Sequence, residues 1–362
     1  MTNLIIFMKP KIFFRISKVA LILAFTLFVA ILFDSCSCDR EKKDYMRDIG
    51  QSQLDSLNSI VVKIDRYEKD LFAIPTDSLK EGLMKMKDKY SFFYDVDQLE
   101  DSMNLLVMKQ YLEDATIKSL YAEVMKQYKD LSSLELELTK MFRKIKYYLP
   151  DWEVPQVFTY VSGGDMQFPV KYADNTLVIA LDMYLGEDFP IYSMWGIPDY
   201  VSNRMTPDYL IVNCAREIAR AYIESMAVDP KTLLDFMVYN GKLLYFTDLV
   251  VEDREDSIKI GYSAPQFYWA DINQGNVWGF FIEHDLLYTT EYRDINKFIG
   301  EAPFTSAFSR TSAPRVGSFI GWQIVRAYMA RNKDVDVETV LKNTNSQEIL
   351  NKSAYKPKKE EQ

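Results

Sequence analysis

Arg216-Glu217-Ile218-Ala219-Arg220 keeps the spacing of the zinc-binding pattern H-E-x-x-H, with arginine at both histidine positions. In that pattern two imidazoles one helical turn apart hold the metal, and the carboxylate between them activates a bound water. Arginine cannot stand in for either histidine, because its guanidinium stays protonated and has no lone pair to give. The chain has one histidine, His284, so a site with two histidine ligands is excluded. Of the three cysteines, Cys36 and Cys38 follow an N-terminal apolar run and Cys214 lies on an apolar helix face as a small hydrophobe. Oxygen ligands around Glu252, Asp253, Glu255 and Asp256 are the remaining arrangement for a cation, and such a run reads first as a solvated loop. No metal and no cofactor is expected. Arg216 and Arg220 instead suit a charge network with Glu217 and Glu224, or a bidentate grip on a carboxylate or peptide terminus. A solvated helix face is the competing reading.

Other catalytic schemes find little material. A serine triad would have to use His284, which sits in the amphipathic stretch "FFIEHDLLY" and reads as a surface or hydrogen-bonded residue. There is no G-x-S-x-G elbow, no P-loop and no dinucleotide-binding glycine motif. The protein is therefore expected not to be an enzyme, and the alternative is a hydrolase that uses Glu217 without a conventional zinc site. Arg310 and Arg315 lie in a Pro/Ser/Gly loop before the apolar helix of residues 318–330 and are further binding candidates; Trp278 and Phe280 read as core.

The helix that must carry the motif is well delimited. Thr206 is placed to cap it, Pro207 suits the first turn and Asp208 complements the helix dipole. Leu210, Ile211, Cys214, Ile218, Ala221, Tyr222 and Met226 recur on one face, leaving Tyr209, Asn213, Arg216, Arg220 and Glu224 opposite, with Glu217 at the margin. Upstream, apolar residues over 54–71 repeat at three- and four-residue steps and predict a helix, and 97–148 stays helical. Pro150 and Pro155 break that run. "VFTYV" (157–161) then reads as a strand turned by Ser162-Gly163-Gly164, and "TLVIALDMYLG" (176–186) as a second, β-branched segment. The pattern predicts a mainly α chain of α+β type: a helical N-terminal part, a small sheet, and a long helix bearing the motif.

The N-terminus carries an export pattern. Lys9, Lys11, Arg15 and Lys18 precede a 15-residue run, "VALILAFTLFVAILF", and then "DSCSC". A basic region, an apolar core and a cysteine just beyond it read as a lipoprotein signal over residues 1–35, with Cys36 the lipid acceptor and Cys38 the alternative. An uncleaved anchor, with Arg15 and Lys18 at the interface, is the other reading. Residues 36–53 read as a polar tether, 54–356 as one domain and 357–362 as a charged tail. The first 38 residues hold four basic groups and one acid. Against totals of 43 and 52, this leaves 39 basic and 51 acidic residues beyond them. Such a surface repels phosphate backbones, so no nucleic acid partner is expected.

Several stretches together resemble the GldB-type gliding-motility lipoproteins of Bacteroidota: "IDRYEKDLF" (64–72), "KYYLPDWEVPQVFTYVSG" (146–163), "LDMYLGEDFPIY" (181–192), "NVWGFFIEHDLLY" (276–288) and "APFTSAFSRTSAPRVGSFIGWQIVRAYM" (302–329). The resemblance spans nearly all of the chain beyond the signal. That family is similar to zincin-like peptidases containing H-E-x-x-H, which implies a zincin-like domain. It also implies a lipid-anchored envelope protein linked to gliding motility and the type IX secretion apparatus. The anchor would lie in the inner or outer membrane with the domain periplasmic, and the partners would be other envelope, motility or secretion proteins. Carried over, the ligand positions fall on Arg216 and Arg220 and the water-activating position on Glu217. The third ligand, a glutamate in related peptidases, falls on Gln274 or, second, on Glu283. The resemblance thus implies a degenerate site acting in binding or assembly.

Overall fold

Four short strands, β1 (Ile64–Arg66), β2 (Gln156–Tyr160), β3 (Val170–Ala173) and β4 (Thr176–Ala180), form one sheet in the order β1-β2-β4-β3. The computed structural model that gives this architecture describes residues 43–226 and 229–357. β2 runs parallel to both β1 and β4, whereas β3 and β4 form an antiparallel hairpin. Asp174 and Asn175 close that hairpin with φ of 47° and 54°, a left-handed pair that these two residue types tolerate. Every residue of β4 is buried, which explains its unbroken apolar reading. Alternation sends Val157, Leu177 and Ile179 into the main core and Phe158 and Val178 into a smaller one on the other face.

Around the sheet the chain is mainly helical, 58% helix against 5% strand. The N-terminal part holds α1 (Tyr67–Phe72), α2 (Leu79–Met86), α3 (Ser102–Glu113), α4 (Ala115–Gln127) and α5 (Ser132–Tyr148). Residues 54–71 are not the continuous helix their periodicity predicts. A short helix at Gln51–Asp55 gives way to extended chain and to β1 before α1 begins. Long-range partners decide this: the Val62 N–H donates to Thr139 Oγ1 at 2.9 Å and the Ile64 N–H to Glu135 Oε1 at 3.1 Å, which ties the segment to α5, while Ile64, Asp65 and Arg66 pair with Val157, Phe158 and Thr159 of β2. Asp114 divides the next helical run, since its Oδ1 accepts the Thr116 and Ile117 N–H groups and caps α4.

The C-terminal part comprises α6 (Pro207–Glu224), α7 (Leu233–Val250), α8 (Asp256–Ile260), α9 (Ala264–Ile272), α10 (Gln274–Glu283), α11 (Tyr292–Ile299), α12 (Val316–Arg331), α13 (Val337–Lys342) and α14 (Ser346–Ser353). α7 and α12 are the central pair, and their backbones touch at Gly241 and Gly321. α7 buries charged Lys242 and Asp248 along with its apolar residues. The described residues from Tyr45 onward form one compact unit, so part of the stretch that reads as tether is folded onto the body. The Arg47 guanidinium donates to the carbonyls of Met329 and Asn332 (both 3.0 Å) and Val335 (3.2 Å), which satisfies acceptors at and just beyond the end of α12. Tyr245 Oη donates to the Tyr45 carbonyl and Tyr148 Oη to that of Arg47. Among the described residues no helix is long and apolar enough to cross a membrane. The signal over 1–35, Cys36 and Cys38 lie outside the described residues, as do residues 358–362 of the tail.

Candidate functional site

Thr206 takes the extended conformation that starts α6 but its side chain makes no capping hydrogen bond, Pro207 fills the first helical position, and the buried surface is broader than the single stripe its periodicity marks. Val212, Ala215, Ala219 and Ile223 are buried beside Leu210, Ile211, Cys214 and Ile218, because α7, β3, α8 and α5 all pack on it, whereas Ala221, Tyr222 and Met226 of the expected stripe are only partly buried. The remaining face, with Tyr209, Asn213, Arg216, Glu217 and Arg220, is partly buried and lines a cleft of about 460 Å³. Across the cleft lie the loop from Met166 to Val170, then Met183 and Tyr184, while Arg204, Met205, Gly261 and Glu301 complete the wall.

The fold fixes that loop from below. The buried Asp182 carboxylate accepts the Ser162 N–H (2.8 Å), the Ser162 hydroxyl (2.9 Å) and the Gly163 N–H (2.9 Å). Gly163 and Gly164 turn with φ of 73° and 105°, where a side chain would be strained. Asn213 Nδ2 donates to Tyr184 Oη at 2.8 Å and ties α6 to the chain leaving β4.

The two arginines of the motif have different surroundings. Arg220 grips Glu217 side-on, with Nη2 on Oε1 and Nε on Oε2, and its Nη1 reaches Glu224. Its pKa rises, chiefly through the hydrogen bond to Glu217. Arg216 makes no ion pair among the described residues; its Nη2 donates to the Lys259 carbonyl at 2.7 Å. Burial first, then the charges of Arg315 and Arg204, push its pKa down to about 10. Those two arginines converge on one acid. Arg204 holds Glu301 bidentately at 3.1 and 2.9 Å, and Arg315 Nη1 lies 3.3 Å from Glu301 Oε1. Desolvation would raise the Glu301 pKa, but Arg315 and Arg204 outweigh it and hold the carboxyl at about 2.

Other residues singled out by sequence fall elsewhere. Gln274 is buried at the start of α10, donating to Asp271 and accepting from Tyr355 Oη at 3.1 Å, and does not line the cleft. Glu283 and Arg310 are exposed and also away from it. His284 is exposed with its ring stacked on Phe280. Two of the four acids after α7 are engaged in ion pairs, Glu252 with Lys144 and Asp256 with Arg326. Among the described residues no three of His, Cys, Asp and Glu gather as metal ligands. Arg204 and Glu301 were not legible in advance: they pair across 97 residues, with no spacing that links them.

Fold and site together define a mainly helical protein with a small mixed sheet and an arginine-lined cleft along one long helix. The chain belongs to the GldB family: the family model described as gliding motility protein GldB matches residues 50–357. No curated protein and no solved structure matches it. Membership associates the protein with gliding motility and with the cell envelope.

Proposed function

We propose that this protein is a lipid-anchored envelope component of the gliding-motility and type IX secretion machinery, acting by binding through the α6 cleft and without peptidase chemistry. The observation that supports this best is the engagement of Glu217. Both of its oxygens accept from Arg220, so the carboxylate is held in an ion pair with the residue that stands at a metal-ligand position. Zinc does not fit the same positions, because guanidinium groups offer it no lone pair. In this reading the H-E-x-x-H spacing is inherited from a zincin-like ancestor, and a charge network now occupies the place of the metal.

The rival reading is a hydrolase that uses Glu217, and one assay separates the two. The full-length protein in detergent, with and without added zinc, is expected to cleave no member of a broad peptide library. Cleavage that disappears in Glu217→Gln would establish the hydrolase instead. For the anchor, Cys36→Ala is expected to abolish metabolic labelling with a fatty acid. Full labelling that is lost only when Cys38 is also replaced would move the acceptor to Cys38.

A further inference from the structure

Two guanidinium groups, those of Arg204 and Arg315, hold a single carboxylate, Glu301, at one end of the α6 cleft, and a third, that of Arg216, lines the same cleft without touching it. Folding alone does not favour this balance, since like charges are brought together in a partly desolvated place. Arg204 is engaged with Glu301 through both of its Nη atoms. Arg315 is buried; its Nη2 donates to the carbonyls of Ile260 (2.9 Å) and Gly261 (3.2 Å), and its Nε is buried with no hydrogen-bond partner. Arg216 donates once, to Lys259, and no described carboxylate lies within ion-pair distance of it, although it feels the charge of Glu301. An unpaired buried N–H and an excess of positive charge both call for an acceptor that the chain does not supply.

We propose that Arg216, backed by Arg204 and Arg315, is a subsite for one carboxylate carried on an apolar body, such as the C-terminus of an apolar peptide. This deepens the binding role proposed above and rests on it. The subsite is pre-organised. Carbonyls from α8 and the residue after it hold Arg216 and Arg315, and Gly261, with φ of 76°, leaves no side chain beside Arg315 Nη2. It is also open, because the Glu301 side chain is 51% exposed. The rest of the cleft suits an apolar body: Met166 and Phe168 stand exposed at its rim, and Val170, Met183 and Met205 lie deeper. A monoanion fits better than a dianion, since Glu301 and Glu217 in the same cleft oppose a second negative charge.

The test uses the full-length protein in detergent and isothermal titration with N-acetyl-trileucine, as the free acid and as the C-terminal amide. The acid is expected to bind at least about tenfold more tightly, the worth of one charge-assisted contact. Arg216→Met should remove that preference with the melting temperature little changed, while Arg310→Met, away from the cleft, should keep it. Glu301→Gln should strengthen acid binding several-fold by removing the competing carboxylate, an effect that a merely structural role for these arginines would not produce. Equal binding of acid and amide, or an unchanged preference in Arg216→Met, would overturn the proposal. So would displacement of the peptide by inorganic phosphate at far lower concentration than by acetate, which would mark a phosphate site. Absence of carboxylate binding without peptide cleavage leaves the non-catalytic reading intact, whereas cleavage of the peptide would remove that reading and not the subsite.

Discussion

Asp248→Ala is expected to destabilise the protein by about 3–5 kcal/mol, the range for breaking a buried ion pair by removing one partner. Asp248 is fully buried on α7, yet four donors converge on it. Trp322 Nε1 and Arg326 Nε each donate to Oδ2 at 2.8 Å, Arg326 Nη2 to Oδ1 at 2.8 Å, and Lys259 Nζ to Oδ1 at 3.2 Å. Asp256 is the only other described carboxylate paired with those cations, 2.8 Å from Arg326 and 3.8 Å from Lys259. Without Asp248, two buried cations would share one partly exposed acid, and the indole N–H would lose its acceptor. Asp248→Asn should be nearly as damaging, because an amide fills the space without neutralising either charge. Chemical denaturation would read this as a lower midpoint at an unchanged slope. A loss below about 1 kcal/mol would mean that the network is dispensable to the fold. The effect should extend to the cleft, since Lys259 joins the two regions: its ammonium holds Asp248 and its carbonyl holds Arg216.

Gly321→Ala is the second large effect expected, a loss of about 3 kcal/mol or more through overpacking. A Cβ at Gly321 would stand 1.8 Å from the Met237 carbonyl oxygen and 2.3 Å from its carbon. These are backbone atoms of α7, so no side chain can move aside and the two central helices would have to separate. The helix-propensity gain of alanine over glycine, about 1 kcal/mol, cannot offset that. Gly279→Ala is the matched control. It lies within α10, and a Cβ there would meet nothing within 4 Å, so the same substitution should be neutral or slightly stabilising. Thermal unfolding of the two variants side by side separates close packing from propensity. Equal melting temperatures would refute the helix contact at Gly321.

Where a feature was legible in the sequence, its signal was local. Thr206-Pro207-Asp208 and a 3.6-residue period marked α6 to within a residue or two, and "TLVIA" marked β4, because caps and side-chain periodicity act over a few positions. β1 was missed for the converse reason. Ile64-Asp65-Arg66 fits a helical period, and only the ladder to Val157, Phe158 and Thr159, far along the chain, makes it a strand. β3 is four residues long and shows no run of its own.

By itself the sequence determined the mainly α class with a small sheet, the long motif-bearing helix, and the exclusion of a two-histidine zinc site. Each of these follows from residue type, spacing and count. Only the tertiary structure decided which charges meet. It left Arg216 without an ion pair, drew Arg204 and Arg315 onto Glu301, and kept Gln274 away from the cleft. Coulomb energy and desolvation depend on distance and burial in space, and separation along a chain prescribes neither.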